Sequence, residues 1–234
     1  MDSKIIVALD FPSADLANAF VDKVEPEQCK LKVGKELFTR SGPEFVRSLH
    51  DKGFDVFLDL KFHDIPNTVA RACEAACDLG VWMLNVHATG GRKMMEAAKE
   101  AVTKTGTDTA LIAVTILTSM DQNDLDEIGM HGKPSEFVSK LAQLAKDSGL
   151  DGVVCSPLEV EMLRNDIEGN YLLVTPGIRP ADSDTQDQKR IMTPEQAIQT
   201  GSSYLVIGRP ITQSDDPMSK MLTINSSIAL QDQA

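Results

Sequence analysis

The sequence predicts a single-domain (β/α)8 TIM barrel, and three observations carry that expectation. Short apolar runs alternate with amphipathic stretches from end to end, eight strand–helix repeats can be counted, and no linker or low-complexity break interrupts residues 1–234. Alternation of this kind lays parallel strands under a coat of helices, and α/β barrels of about 200–250 residues form one unit. A doubly wound open sheet satisfies the same alternation, so the pattern by itself leaves closure open.

The elements follow in order. Met1-Asp2-Ser3-Lys4 leads straight into the first strand-like run, Ile5–Leu9, without the pattern of a signal peptide, and helix-like Ala14–Val24 comes next. Lys30–Val33 precedes the amphipathic Pro43–Lys52, and Val56–Leu60 precedes Thr68–Leu79. Met83–Val86 is paired with Arg92–Thr103, and Ala110–Val114 with Ser135–Asp147. Gly152–Cys155 is followed by Pro157–Asn165, Tyr171–Thr175 by Pro194–Gln199, and Tyr204–Ile207 by a last helix near Pro217–Leu230. Ser156-Pro157-Leu158-Glu159 and Thr193-Pro194-Glu195-Gln196 each read as an N-cap, a proline at the first helical position and a capping-box partner. Gly53, Gly80, Gly149 and Gly201 mark helix stops. Pro180–Arg190 is too polar to pack and too long for a simple turn, which suits a lid.

Composition narrows the partners. A formal net charge of −12 repels nucleic-acid phosphates and anionic lipid, so neither nucleic acid nor membrane is expected. It repels a phosphorylated substrate as well, so a site for one must gather its own positive charge. No apolar stretch approaches the roughly 18–20 residues of a membrane span. Cys73 and Cys77 sit four apart on one helix, but no nearby Cys/His pair completes a metal site. With Cys29 and Cys155 they are expected to be buried thiols in a reducing cytoplasm.

The densest chemistry is Asp59-Leu60-Lys61-Phe62-His63-Asp64-Ile65-Pro66-Asn67-Thr68. Strand parity places Asp59 and Lys61 on one face at the third strand's C-terminal end, with Leu58 and Leu60 turned toward the helices. Asp10 and Lys32 fall at or near the ends of the first two strands, and barrel active sites form at that face. The functional reading is a coupled cluster of Lys32, Asp59, Lys61 and Asp64. A plain ion pair, with Asp64 helping to cap the helix that Pro66 begins, fits the same spacing. Gly208-Arg209-Pro210, after the last strand, aims backbone N–H groups and a guanidinium at an anion, although glycine before a turn and proline after it also have ordinary uses.

Asp59-x-Lys61-x-x-Asp64, continuing into Ile65-Pro66-Asn67-Thr68, resembles the signature of the orotidine 5'-phosphate decarboxylase family, in its free-standing bacterial form. Val7-Ala8-Leu9-Asp10, Leu31-Lys32-Val33-Gly34, Asn85-Val86-His87-Ala88 and Leu117-Thr118-Ser119 resemble further strand ends of that family. So do Pro176-Gly177-Ile178-Arg179 and Ile207-Gly208-Arg209-Pro210-Ile211.

The resemblance implies decarboxylation of orotidine 5'-phosphate (OMP) to uridine 5'-phosphate (UMP), the last step of UMP biosynthesis, without metal or cofactor. Losing CO2 from C6 leaves a localised carbanion, so Lys61 is implied as proton donor and electrostatic stabiliser. Asp59 stands beside the scissile carboxylate, and Lys32 holds Asp59 ionised and contacts the ribose. Asp10 binds ribose hydroxyls and Thr118 the pyrimidine. Gly208 and Arg209 hold the phosphate, with Arg179 at the lid base and Gln188 closing onto it. Asp64 and Thr68 reach the neighbouring subunit's site, which implies a homodimer. His63 and His87 are expected to be structural or minor contacts.

Three rival readings share part of this pattern. A Mg2+-dependent sugar-phosphate decarboxylase or synthase of the same superfamily needs carboxylates where this chain has Lys32-Val33-Gly34. A Schiff-base aldolase needs an amine nucleophile, whereas Lys61 lies among carboxylates that favour an ammonium. A silent nucleotide-binding barrel would not need the intact charged set.

Overall fold

Each strand run is apolar on both faces because one face fills a barrel and the other meets helices. The computed structural model describes residues 3–180 and 192–231. In chain order its first half comprises β1 (Ile5–Ala8), α1 (Ala14–Val21), β2 (Lys30–Gly34), α2 (Lys35–Asp51), β3 (Val56–Phe62), α3 (Pro66–Cys77), β4 (Met83–His87) and α4 (Arg92–Thr105). The second half comprises β5 (Ala110–Val114), α5 (Gln122–Glu127), α6 (Pro134–Asp147), β6 (Gly152–Val154), α7 (Val160–Asp166), β7 (Leu172–Thr175) and α8 (Pro194–Gln199). It ends with β8 (Tyr204–Ile207), α9 (Arg209–Thr212) and α10 (Pro217–Gln231). The eight strands are parallel and close in sequence order, β8 joining β1 through Ile5↔Leu205, Ile6↔Val206 and Val7↔Ile207. Closure therefore decides for the barrel over the open sheet.

Alternation along the strands makes two cores. Ile6, Ala8, Phe57, Met83, Ile112, Val174 and Val206 fill the barrel, while Ile5, Val7, Leu31, Val33, Leu58 and Leu84 face the helices. Leu60 packs against this outer layer with Leu58, as parity requires. Each fully buried large side chain contributes about 1.5–3 kcal/mol of transfer free energy. At the opposite end from the strand C-termini, Lys30 Nζ lies 4.6 Å from the Trp82 ring centroid and 2.7 Å from Asp55 Oδ2, which keeps its buried charge paired.

Local signals place most helix ends. Ser156 and Thr193 form the expected capping boxes, and the four glycines expected to stop helices all take positive φ. Apart from shifts of up to three residues at element ends, three elements differ from the sequence reading. A helical segment before Pro43 joins the expected Pro43–Lys52, giving α2 a kink at Gly42 (φ 69°), because proline cannot continue the preceding hydrogen-bond ladder. The expected Pro157–Asn165 helix opens as a 3-10 turn, Pro157–Glu159, before α7. The short α5 was not anticipated; Asp121 and Asp124 start it with a reciprocal cap. Of the expected lid, residues 181–190, including Gln188, lie outside the described residues. At its base Ile178 bridges Met192, and the Arg179 N–H donates to the Met192 carbonyl at 3.0 Å.

Candidate active site

All strands point the same way, so their C-terminal ends surround one mouth. A cavity of about 650 Å³ opens there, lined by charged residues at two poles and apolar side chains between them. One pole is built on β2 and β3. Lys32 is buried, and its Nζ lies 3.2 Å from Asp59 Oδ2 and 3.4 Å from Asp10 Oδ1. Lys61 Nζ donates to Asp59 Oδ1. Asn85 Nδ2 donates to that same oxygen at 2.7 Å. Both carboxylate oxygens of Asp59 thus face ammonium groups.

These neighbours set the charges. Burial opposes ionisation of Asp59, but Lys32 and then Lys61, with hydrogen bonds from Lys61 and Asn85, outweigh it and hold the carboxyl below its ordinary range. Burial likewise opposes the Lys32 ammonium, and Asp59 followed by Asp10 more than compensate, raising its pKa. The signs define a window. The depressed Asp59 contributes stability present above its unfolded pKa and lost as pH falls through the folded value. The raised Lys32 contributes stability present below its unfolded pKa and lost as pH rises through the folded value. The urea midpoint is therefore expected to hold between the carboxylate and lysine ranges and decline beyond both. In Asp59→Asn the acid decline should be smaller; an unchanged acid limb would contradict the pairing.

Lys61 reaches Asp59 by a different route from regular alternation. It is the one non-glycine residue at positive φ (54°) among the described residues, and the β3–β4 register shifts between Leu58 and Phe62. A left-handed conformation at a residue other than glycine costs on the order of 1–3 kcal/mol and persists where surrounding structure enforces it, commonly at functional sites. The bulge turns the ammonium over the carboxylate and into the cavity.

The other pole carries Arg179, Gly208 and Arg209, with Thr212 and Gln213 beside them. Arg179 is 7% exposed; its Nη1 donates to the Ile178 carbonyl at 3.0 Å, while its buried Nε has no hydrogen-bond partner. Burial and then neighbouring Arg209 lower its pKa. Two guanidiniums facing one space repel each other unless an anion joins them. Between the poles, Phe57, Val114, Ile116, Val154, Pro176 and Val206 make an apolar wall, with Thr118 also in the lining.

Several sequence-level expectations resolve here. Lys32, Asp59, Lys61, Asp10, Thr118, Arg179, Gly208 and Arg209 all line the cavity. Asp64 and Thr68 do not; both are exposed beyond the strand end, and Asp64 Oδ1 accepts the Ile65 N–H at 2.6 Å. The buried cluster of this chain is therefore Lys32, Asp59 and Lys61 with Asp10 at its rim, and Asp64 stands outside it. Asp64 does not form the side-chain cap of α3, whose N-cap is Ile65. In the Thr118–Asp121 turn, Asp121 caps α5 while Thr118 lines the cavity. His63 and His87 meet as a tilted ring pair, centroids 5.5 Å apart, outside the cavity lining. Burial, then His63, Lys35 and Lys61, push His87 down to about 4. The four cysteines are free and buried. Asn85 has no role assigned by sequence reasoning, although a polar residue on the inward face of an apolar strand is a signal of one.

Among the described residues no helix is long and apolar enough to cross a membrane. The orotidine 5'-phosphate decarboxylase / HUMPS family model matches residues 3–224. An orotidine 5'-phosphate decarboxylase from Haemophilus ducreyi is 60% identical over 230 residues, covering 98% of this chain and 100% of that protein. One from Hydrogenovibrio crunogenus is 60% identical over 227 residues, covering 97% and 96%. The crystal structure of the Lactobacillus acidophilus orotidine 5'-phosphate decarboxylase superposes with a TM-score of 0.88 at 40% identity, covering 97% of this chain and 99% of that one. With its barrel, its strand-end charges and this coverage, the chain belongs to the orotidine 5'-phosphate decarboxylase / HUMPS family.

Proposed function

We propose that the chain decarboxylates OMP to UMP and CO2 in this cavity. The observation that carries the reading is the separation of charge across it: an ammonium–carboxylate–ammonium set at one pole, two arginines at the other, and an apolar wall between. OMP has matching ends, a pyrimidine carboxylate and a 5'-phosphate. The family description spans two activities, and the 60% identical relatives carry the name of the decarboxylase.

In this reading the C6–carboxylate bond breaks, CO2 leaves and the electron pair stays on C6. The Lys61 ammonium lowers the energy of that pair and then transfers a proton to C6, forming the C–H bond of UMP. Solvent later reprotonates the amine. Asp59 places a like charge near the departing carboxylate, a repulsion that bond cleavage relieves. Lys32 keeps Asp59 ionised, and Asp10 and Lys32 take the ribose hydroxyls. Thr118 meets the pyrimidine; Gly208, Arg209, Arg179 and Gln188 take the phosphate. Binding energy from that remote group then orders the reacting end.

The reading needs neither metal nor cofactor, because ammonium groups occupy both oxygens of Asp59 where a Mg2+ site would require free carboxylates. We place the enzyme in the cytoplasm, as a homodimer in which Asp64 and Thr68 complete the partner's site. The stretch 64–68 is exposed throughout, and Ile65 within it is 67% exposed. Large apolar side chains gain when a second surface covers them.

Near-UV absorbance in EDTA buffer tests the reaction: OMP should be converted, and orotidine lacking the phosphate should react with kcat/KM at least about 10³-fold lower. Activity appearing only with added Mg2+, or on a sugar phosphate instead, would remove the proposal.

A further inference from the structure

The β3–β4 junction is irregular where the chemistry sits. Between the paired positions Leu58↔Leu84 and Phe62↔Val86, β3 carries Asp59, Leu60 and Lys61 while β4 carries Asn85 alone. A bulge of this kind leaves ladder groups without backbone partners. The Asn85 side chain satisfies one of them, its Oδ1 accepting the Lys61 backbone N–H at 2.8 Å, while its Nδ2 donates to the side-chain Oδ1 of Asp59 at 2.7 Å. Asn85 is fully buried and does not line the cavity, so a substrate there meets Lys61 and Asp59 but not Asn85.

We infer that Asn85 is a positioning residue for the reaction, holding Lys61 in its left-handed conformation and fixing the Asp59 oxygen that meets its ammonium. The inference rests on the reading of Lys61 and Asp59 as the reacting pair. Residue type matters because the two bonds ask for an acceptor and a donor on one short planar group. Leucine has the size and neither function. Aspartate keeps the acceptor and donates only while protonated. The charged groups facing Asn85 are Asp59 and Lys61 from β3, with Lys32 of β2 behind Asp59; its β5 register partner, Ile112, is uncharged, and His87 follows two residues along β4.

The test compares wild type, Lys61→Ala, Asn85→Leu and Asn85→Asp for OMP turnover across pH, with UMP affinity and circular dichroism on each. Asn85→Leu should lower kcat about 10²-fold or more while KM and UMP affinity stay within about threefold, since misplacing a reacting group costs rate rather than binding. Asn85→Asp should do best at the acid end, where its protonated carboxyl donates as the amide does. Its rate relative to wild type should then fall as pH rises and a second carboxylate ionises beside Asp59. A leucine variant with kcat within about threefold of wild type overturns the inference. So does a pH-independent ratio for Asn85→Asp, or loss of UMP binding in step with kcat, which marks a general structural role. If the leucine variant does not fold, the near-isosteric Asn85→Asp series decides alone. Activity in Lys61→Ala would instead remove the reacting-pair reading, and the inference with it.

Discussion

Lys61→Ala is expected to lose at least about 10⁴-fold in kcat, since proton transfer and charge stabilisation both depend on one ammonium. UMP affinity should fall far less, because the substitution leaves Arg179 and Arg209 of the cavity lining in place. The loss should not reflect unfolding. Alanine keeps the Cβ that is strained at φ 54°, and it leaves Asp59 with one ammonium partner fewer. Circular dichroism and UMP titration separate these effects from catalysis. Near-normal turnover in a folded Lys61→Ala variant would remove the residue as proton donor.

The second large effect concerns Asp64. Alone, Asp64→Ala should be nearly inactive although the residue lies outside its own chain's cavity. Mixed with equally inactive Lys61→Ala, it should recover activity. Random exchange makes half the dimers hybrid, and each hybrid holds one site with both residues intact, or about a quarter of the wild-type sites. Lack of recovery after verified subunit exchange would place Asp64 in no shared site.

Much of the site was legible because charge is expensive to bury. Asp59 and Lys61 end an apolar strand, Lys32 interrupts another, and such residues need partners that a barrel mouth supplies. Arg209 was legible from its place between a strand and a turn containing proline. Arg179 was named from the lid base, but its buried, unpartnered Nε follows from packing beside Arg209. Asn85 was visible as a residue and silent as a function. Its two partners lie 24 and 26 positions away, across a strand pair whose register shifts between them.

By itself the sequence determined the alternation of elements, most helix ends and the residue types at the strand termini. These depend on neighbours within a few positions: the period of apolar residues, a capping side chain, a glycine that accepts positive φ. Only the tertiary structure decided that the sheet closes, that Asp64 stands apart from the buried cluster, and that Lys61 meets Asp59 through a bulge. The bulge and the closure arise from pairing between strands distant in sequence: between Leu58↔Leu84 and Phe62↔Val86 three β3 residues face one on β4, a mismatch that no local stretch of sequence encodes.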